Sequence, residues 1–324
     1  MKNNQIRDHS FGKNAIFLIL SKVSYIGASF ILYIVLVQVL DRNQINIFGL
    51  AISFNSLFII IADFGITEVV IRSSASCPRE KLSSVFLSGL ILKTIYAIAW
   101  YLLLYIVIKL IYHDVIMQKA IFIACFSALI RSFSEYIEGI ATGVGKSGLV
   151  AVFTLIQYSL LLFLAVMAGV VFRWGVISVL YSYVIVMFVS LIMRLIWLVR
   201  YTKLKFNTLE VLESFMVYIK ESPKFGIALI TATINGAHLY LIIISLIDKT
   251  SNDLAVFQGG QKILALLHIL GGMVGRSFYA AASNAIVLKN DYELKKLLQK
   301  ATHYLAIISF GAIVLFTVMG QEIA

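Results

Sequence analysis

Residues 47–75 have the sequence IFGLAISFNSLFIIIADFGITEVVIRSSA. Up to Val70 this stretch is apolar around the whole circumference of a helix, with Asp63 and Glu68 as its charged side chains. About 20 helical residues are enough to cross the hydrocarbon core of a bilayer. A barrel strand would instead alternate apolar and polar residues over roughly 10 positions. The stretch therefore predicts a transmembrane helix over residues 46–70.

Apolar runs of the same kind recur along the whole chain. We predict further spans at 14–40, 83–110, 116–139, 149–172, 175–199, 225–247, 254–284 and 301–320, about nine in all. The composition agrees, since 60% of the 324 residues are hydrophobic and 13% are charged, whereas soluble proteins carry about 25% charged residues. The predicted fold class is an all-α polytopic membrane protein.

The basic residues predict the orientation of these spans. With a cytoplasmic N-terminus, the inside segments hold 16 of the 27 Lys and Arg residues. The outside loops hold four, Arg42, Lys119, Arg173 and Lys249. Because cytoplasmic loops carry the excess of Lys and Arg, the N-terminus is expected in the cytoplasm. The net charge of +11 is thus explained by topology, and no nucleic-acid partner is expected.

The longest polar break, residues 200–224, suggests a division into two lobes. Asn207 and Glu210 are spaced as a capping box, and an apolar stripe at helical spacing follows, formed by Leu212, Phe215, Met216 and Ile219. We predict an N-terminal lobe of six spans (1–199), a cytoplasmic linker with an amphipathic helix on the membrane surface (200–222), and a partial C-terminal lobe of three spans (223–324). Pro223 is expected in the first turn of the seventh span.

The stretch EGIATGVGKSG (138–148) ends like a phosphate-binding loop. In that loop a glycine stands five residues before the second glycine, but Ile140 occupies this position before Gly145. We therefore expect a turn between two spans and no bound nucleotide. The two cysteines and five histidines form no catalytic or metal-ligand pattern, so neither an enzyme, a metal nor a cofactor is expected.

Several charged residues fall inside the predicted spans, where they are costly and often functional. Arg131, Glu135 and Glu138 share one face of the fourth span, since they are spaced i, i+4 and i+7. Either a structural ion pair or an ion-coupling site fits them, and Asp63 is a second coupling candidate. Lys93 and Arg194 lie nearer the ends of spans and are expected to extend to the membrane surface.

Lys22 and Lys262 lie deeper, each about eight residues, or roughly 12 Å, from a span end. Arg276 lies nearer the cytoplasmic end of the eighth span. Basic groups from both lobes around one cleft would attract an anionic headgroup such as a pyrophosphate. Extension of these side chains to the membrane surface is the alternative.

Two long stretches resemble the polysaccharide transporter family. They are residues 47–75, quoted above, and residues 222–291, in which Phe225-Gly226 begins the seventh span. The family contains the lipid-linked oligosaccharide flippases, including O-antigen flippases of the Wzx type, and belongs to the multidrug/oligosaccharidyl-lipid/polysaccharide superfamily. The resemblance implies two helical lobes around a cavity that opens alternately to each side of the bacterial inner membrane. Since such proteins usually have twelve or more spans, it also implies an incomplete second lobe.

The resemblance further implies an undecaprenyl-diphosphate-linked oligosaccharide, an O-antigen or capsule repeat unit, as cargo. Membrane lipids and other glycan assembly proteins are the remaining expected partners. By position, Lys22, Arg72 and Arg276 match the basic cavity groups of related flippases, with Lys262 as a further candidate. The alternatives are a multidrug exporter of the same superfamily, a membrane-embedded glycan polymerase and a non-functional remnant. The basic bias argues against the exporter, and the short outside loops argue against the polymerase.

Overall fold

A computed structural model describes residues 2–202, 207–234, 242–243 and 291–323. The chain divides into two compact units, residues 1–255 and 256–324. All regular structure in the described residues is helical, which confirms the predicted fold class. The helices are α1 (Lys2–Val39), α2 (Arg42–Asp63), α3 (Ile66–Ser76), α4 (Leu82–Ile111), α5 (Val115–Gly143), α6 (Ser147–Val166), α7 (Val176–Thr202), α8 (Thr208–Ile234) and α9 (Asp291–Ile323). A short 3₁₀ turn, Arg79–Lys81, precedes α4, and a π turn, Met167–Val171, extends α6.

Five of the described helices, α2, α4, α5, α6 and α7, are long and apolar enough to cross a membrane. Their ends agree with the predicted spans to within a few residues, except at α2. The predicted span 14–40 coincides with the second part of α1, which ends one residue earlier at Val39, and the predicted span 301–320 lies within α9. The predicted span 254–284 lies outside the described residues.

The predicted span 46–70 is interrupted, so the prediction of one continuous helix there is wrong. Asp41 caps the start of α2 by accepting a hydrogen bond from the backbone N–H of Gln44 at 2.8 Å. The helix ends at Asp63 because Phe64 and Gly65 both adopt left-handed backbone conformations, with φ of 43° and 79°. Two such residues in succession cannot continue a right-handed helix. A new helix, α3, therefore begins at Ile66.

Helix α5 lies at the centre of the first unit and contacts α2, α3, α4, α6 and α7. Its buried positions Ala120, Ala124 and Ala128 recur every four residues. Gly139 and Gly143 continue the small residues toward α3, and a Cβ on Gly143 would lie 2.5 Å from the carbonyl oxygen of Ile71. Small residues at this spacing allow close approach of membrane helices, which explains why the central helix has so little bulk on these faces.

Helix α4 has the opposite character along its second half. Its apolar side chains Ile95, Ile98, Leu102 and Ile106 are 52–60% exposed. Exposed apolar surface on this scale is stable in contact with acyl chains rather than water. This part of α4 is a lipid-facing surface of the unit.

The predicted turn between the fourth and fifth spans is confirmed. Helix α5 ends at Gly143, α6 begins at Ser147, and Gly145 between them has a positive φ of 76°. The Gly-Lys-Ser sequence therefore joins two membrane helices, whereas a phosphate-binding loop follows a strand.

Helix α8 is continuous from Thr208 to Ile234, with Pro223 inside it. Pro223 was expected to begin a new helix, and this expectation is wrong. A proline removes one backbone hydrogen bond from a helix, but buried residues hold the helix in place on both sides of Pro223, Tyr218 (1% exposed) and Ser222 (0%) before it and Gly226 after it. The buried face packs on α4 and α3. On the predicted apolar stripe, Leu212, Met216 and Ile219 are exposed and Phe215 is partly buried.

Candidate functional site

The break between α2 and α3 is held by the carboxylate of Asp63. Its Oδ2 accepts a hydrogen bond from the backbone N–H of Thr67 at 3.2 Å, and its Oδ1 accepts one from the Thr67 hydroxyl. Asp63 ends α2 and serves as a side-chain cap for the first turn of α3. A carboxylate is well suited to this place, since the N-terminus of a helix carries a partial positive charge.

The same carboxylate forms an ion pair with Lys93 of α4. The Lys93 side chain is 0% exposed, and that of Asp63 is 12% exposed. The ring of Tyr136, on α5, lies 5.7 Å from the Lys93 ammonium, while its hydroxyl donates a hydrogen bond to the Phe86 carbonyl at 2.8 Å. Three helices thus surround one buried cation and its counter-charge.

A second buried pair joins α5 and α7. Arg194 donates a hydrogen bond from Nη2 to Glu138, and from Nη1 to the Ser190 carbonyl at 3.3 Å. The Arg194 side chain is 2% exposed, and its guanidinium lies 5.6 Å from the ring centroid of Phe153 on α6. Beside it, Ser190 donates a hydrogen bond to Gln157 at 2.6 Å. This pair ties the central helix to its neighbours.

The expectation that Lys93 and Arg194 extend to the membrane surface is wrong, because both are buried. Each has an acidic partner on an adjacent helix at the same level. A buried charge without a partner is very costly, so a cation with a carboxylate in reach is more stable paired than alone. The sequence analysis named both residues but missed that they are buried, paired members of the site. The first six predicted spans together contain at least one basic residue for every acidic residue, which is a signal for ion pairs. The sequence did not show which of these residues pair.

The charged residues predicted to share one face of α5 belong to two different ion pairs. Arg131 Nε donates a hydrogen bond to Glu135 within the same helix at 2.8 Å, while Glu138 turns to Arg194 on α7. The Arg131 guanidinium also lies 5.0 Å from the ring centroid of Tyr25 on α1. An internal ion pair on α5 is therefore present. The role of these groups in ion coupling stays a prediction.

The predicted cargo-binding residues are only partly within the described structure. Arg72, on α3, is 63% exposed and forms an ion pair with Glu221 of α8 at 2.8 Å. Lys22 lies on α1, and its side chain is outside the described part. Lys262 and Arg276 both lie outside the described residues. Among the residues that the structure does describe, no cluster of three or more metal-ligating side chains occurs.

We expect Glu138→Gln to lower the free energy of unfolding by about 1–3 kcal/mol, because the guanidinium of Arg194 would stay buried without its carboxylate. The measurement is thermal unfolding of the purified protein in detergent. Glu135→Gln is the matched control on the same helix, since its pair with Arg131 is more exposed, with side-chain exposures of 33% and 20%, and should contribute less than about 1 kcal/mol. Equal losses in both variants would contradict the structural role of the α5–α7 pair.

Residues 11–283 match the model of a family described as polysaccharide biosynthesis protein. The chain belongs to this family. A search among curated proteins found no match.

Solved structures of transporters share the fold of this family member. One is a MOP superfamily transporter from Pyrococcus furiosus, and another is the outward-facing conformation of a multidrug resistance MATE family transporter. Both are 15% identical to this chain with a TM-score of 0.67, covering 97% of this chain and 72% and 73% of theirs. An inward-facing conformation of a MATE transporter matches with a TM-score of 0.64 at 16% identity, over 96% of this chain and 71% of that one. At such identities the likeness shows the fold. The protein is thus a multi-pass membrane protein with the fold of these transporters.

Proposed function

We propose that this protein is a flippase that moves an undecaprenyl-diphosphate-linked oligosaccharide across the bacterial inner membrane by alternating access. The cargo would be an O-antigen or capsule repeat unit. The observation that carries the proposal is the match of residues 11–283 to a polysaccharide biosynthesis family in a chain whose fold is that of MOP superfamily transporters. A transporter in glycan synthesis needs a cargo that is made on one side of the membrane and used on the other.

The proposed headgroup site consists of Lys22, Arg72, Lys262 and Arg276. Diphosphates are bound well by arginine forks and lysine ammonium groups. The exposure of Arg72 supports its part in the proposal, because a group that must contact a passing ligand has to be accessible. Its pair with Glu221 would be exchanged for the diphosphate during transport. The proposed topology has a cytoplasmic N-terminus, and the proposed division into lobes places residues 1–199 before the linker and 223–324 after it.

The direct test is transport in vesicles. The purified protein is reconstituted with a fluorescent undecaprenyl-diphosphate oligosaccharide, and a membrane-impermeant quencher reports how much of it changes leaflet. Transport faster than in protein-free vesicles is expected. If the lipid stays in its leaflet while the vesicles exchange a cationic drug, the protein is a multidrug exporter instead.

We expect Arg72→Ala to reduce transport roughly tenfold or more, because charge-assisted hydrogen bonds contribute about 1.5–3 kcal/mol. Its effect on unfolding should be small, since exposed ion pairs contribute at most about 1 kcal/mol. The matched control is Arg79→Ala, an exposed arginine that donates to the Tyr201 carbonyl at 3.1 Å. Transport rates and melting temperatures are measured for both variants.

An exchange of the two charges separates cargo binding from a purely structural role. Arg72→Glu combined with Glu221→Arg keeps an ion pair between α3 and α8 but moves the positive charge to α8. If Arg72 binds the diphosphate, the double variant stays deficient in transport. Full transport in the double variant would show that the pair is only a structural contact.

A further inference from the structure

One face of α5 changes from buried to accessible along the length of the helix. Residues spaced by three and four positions share a helix face. On this face the half nearer Val115 is buried, with exposures of 0–1% at Ala120, Ala124 and Ser127. The half nearer Gly143 is partly exposed. Its side chains form what we call the polar strip, which consists of Arg131, Glu135, Glu138 and Thr142.

The polar strip is closed at its inner end by a hydrogen-bonded contact between α2 and α5. Asn55 of α2 donates to the Ser127 hydroxyl at 2.9 Å and to the Ala124 carbonyl at 2.6 Å. At its other end the strip leads to the exposed turn at Gly145, which is cytoplasmic in the proposed topology. Arg131 lies roughly 18 Å along the helix from that end. The strip is therefore accessible from one side of the span only.

The accessible surface of the strip carries charge within a membrane span. The side chain of Glu135 is 33% exposed, that of Glu138 is 21% exposed, and that of Arg131 is 20% exposed. Charged side chains within a span face the protein interior or a water-filled space rather than acyl chains. By contrast, Phe126 on the same helix is 45% exposed and apolar, as suits a surface in contact with lipid. The strip therefore faces a polar space of the first unit.

The charges of the strip balance one another, and this balance defines the class of ligand. Arg131 pairs with Glu135, and Glu138 pairs with Arg194 of α7. A diphosphate would need an excess of positive charge, and a cationic drug would need an excess of acid. A sugar hydroxyl can both donate and accept a hydrogen bond, whereas a carboxylate only accepts and a guanidinium only donates. The strip thus suits a neutral, hydroxyl-rich ligand.

We propose that the polar strip binds sugar units of the cargo through their hydroxyl groups. This site rests on the proposed function, since the sugars belong to the lipid-linked oligosaccharide proposed above. Glu135 and Glu138 accept hydrogen bonds from sugar hydroxyls, and Arg131 donates to sugar oxygens. The ring of Tyr25 on α1, whose centroid lies 5.0 Å from the guanidinium, holds Arg131 in position. None of the proposed headgroup residues belongs to the strip, so sugar and diphosphate are bound by different side chains.

Thiol labelling in vesicles tests whether the strip is in contact with water. Glu135→Cys and its control Phe126→Cys are made in a background of Cys77→Ser and Cys125→Ser, and a membrane-impermeant maleimide is added to both sides. Because a hydrated thiol ionises to the reactive thiolate and a thiol among acyl chains does not, Glu135→Cys should react roughly tenfold faster or more. Equal rates for the two variants would overturn the proposal.

Binding measurements separate recognition of the sugars from recognition of the headgroup. Calorimetry in detergent compares undecaprenyl-diphosphate oligosaccharide with undecaprenyl diphosphate alone. Glu135→Gln should weaken binding of the oligosaccharide roughly fivefold, because a carboxylate accepts stronger hydrogen bonds than an amide oxygen, and should leave binding of undecaprenyl diphosphate unchanged. Arg72→Ala should weaken binding of both lipids equally. The matched control is Glu213→Gln, an exposed acid of α8, which should change neither affinity.

The sugar site and the proposed function fail in different ways. Equal affinity of the unaltered protein for the two lipids would overturn the sugar site, as would an equal effect of Glu135→Gln on both. If neither lipid binds, the proposed function is wrong and the sugar site with it. Thermal unfolding shows that Glu135→Gln is folded, and if it is not, the comparison of the two lipids on the unaltered protein still decides.

Discussion

Replacing Gly65 with alanine should lower the free energy of unfolding by roughly 2–5 kcal/mol. Gly65 has a φ of 79°, which costs an L-residue about 1–2 kcal/mol. The new Cβ would also overlap the backbone of α8 at Ser222 and Gly226, and forced repacking of a tight contact adds roughly 1–3 kcal/mol. Because the opposing atoms belong to the main chain, they cannot rotate away as a side chain would. Thermal unfolding in detergent measures the loss, and transport in vesicles should fall with it.

Gly27→Ala is the matched control for this prediction. Gly27 lies within α1, and a Cβ added there would meet nothing within 4 Å. Alanine favours a helix by about 1 kcal/mol over glycine, so the control should be neutral or slightly stabilising. A melting temperature for Gly65→Ala equal to that of the control would refute the backbone contact between the break and α8.

Lys93→Met should lower the free energy of unfolding by about 3–5 kcal/mol, the usual effect of removing one partner of a buried ion pair. Methionine is one atom shorter than lysine and keeps most of its apolar volume, so the change acts mainly through charge. The Asp63 carboxylate would keep only its hydrogen bonds from Thr67. The measurement is again thermal unfolding of the purified protein.

Two further variants establish the cause of this loss. Lys109→Met alters an exposed lysine of the same helix, whose ammonium donates to Gln118 at 2.9 Å, and should change stability little. Lys93→Met/Asp63→Asn removes both charges and should recover much of the lost stability, because two neutral partners avoid a buried unpaired charge. The single variant Asp63→Asn completes the comparison. If the stability losses of Lys93→Met and Asp63→Asn simply add in the double variant, the two residues do not interact.

The sequence predicted the helical membrane fold because hydrophobicity and helix length are local properties. It also placed most helix ends well, since turns such as that at Gly145 carry polar and glycine residues. The break after Asp63 was missed because it interrupts an apolar stretch with a single glycine. Only the positive φ of Phe64 and Gly65 shows that the helix ends there.

The candidate site was predicted less completely, for a physical reason. The acids Asp63, Glu135 and Glu138 were recognised because charge inside a span is locally visible. The pairing of Asp63 with Lys93 and of Glu138 with Arg194 was not predicted, because pairing depends on how each helix is rotated about its axis and which helix lies beside it. That information arises from the packing of whole helices against one another, here α2 on α4 and α5 on α7. The same pairing determines which cations are buried, so the expectation that both extend to the membrane surface was wrong.

The buried pairs have a consequence for biosynthesis. Asp63 precedes Lys93 by 30 residues and Glu138 precedes Arg194 by 56, so each acid leaves the ribosome well before its base. A charged side chain within an inserting span is costly until it is paired. Helix α2 therefore enters the bilayer with a charge that is neutralised only when α4 arrives, and α5 likewise depends on α7. Stable integration of the early helices becomes dependent on the later ones, so a nascent chain that stalls between them holds an unneutralised acid.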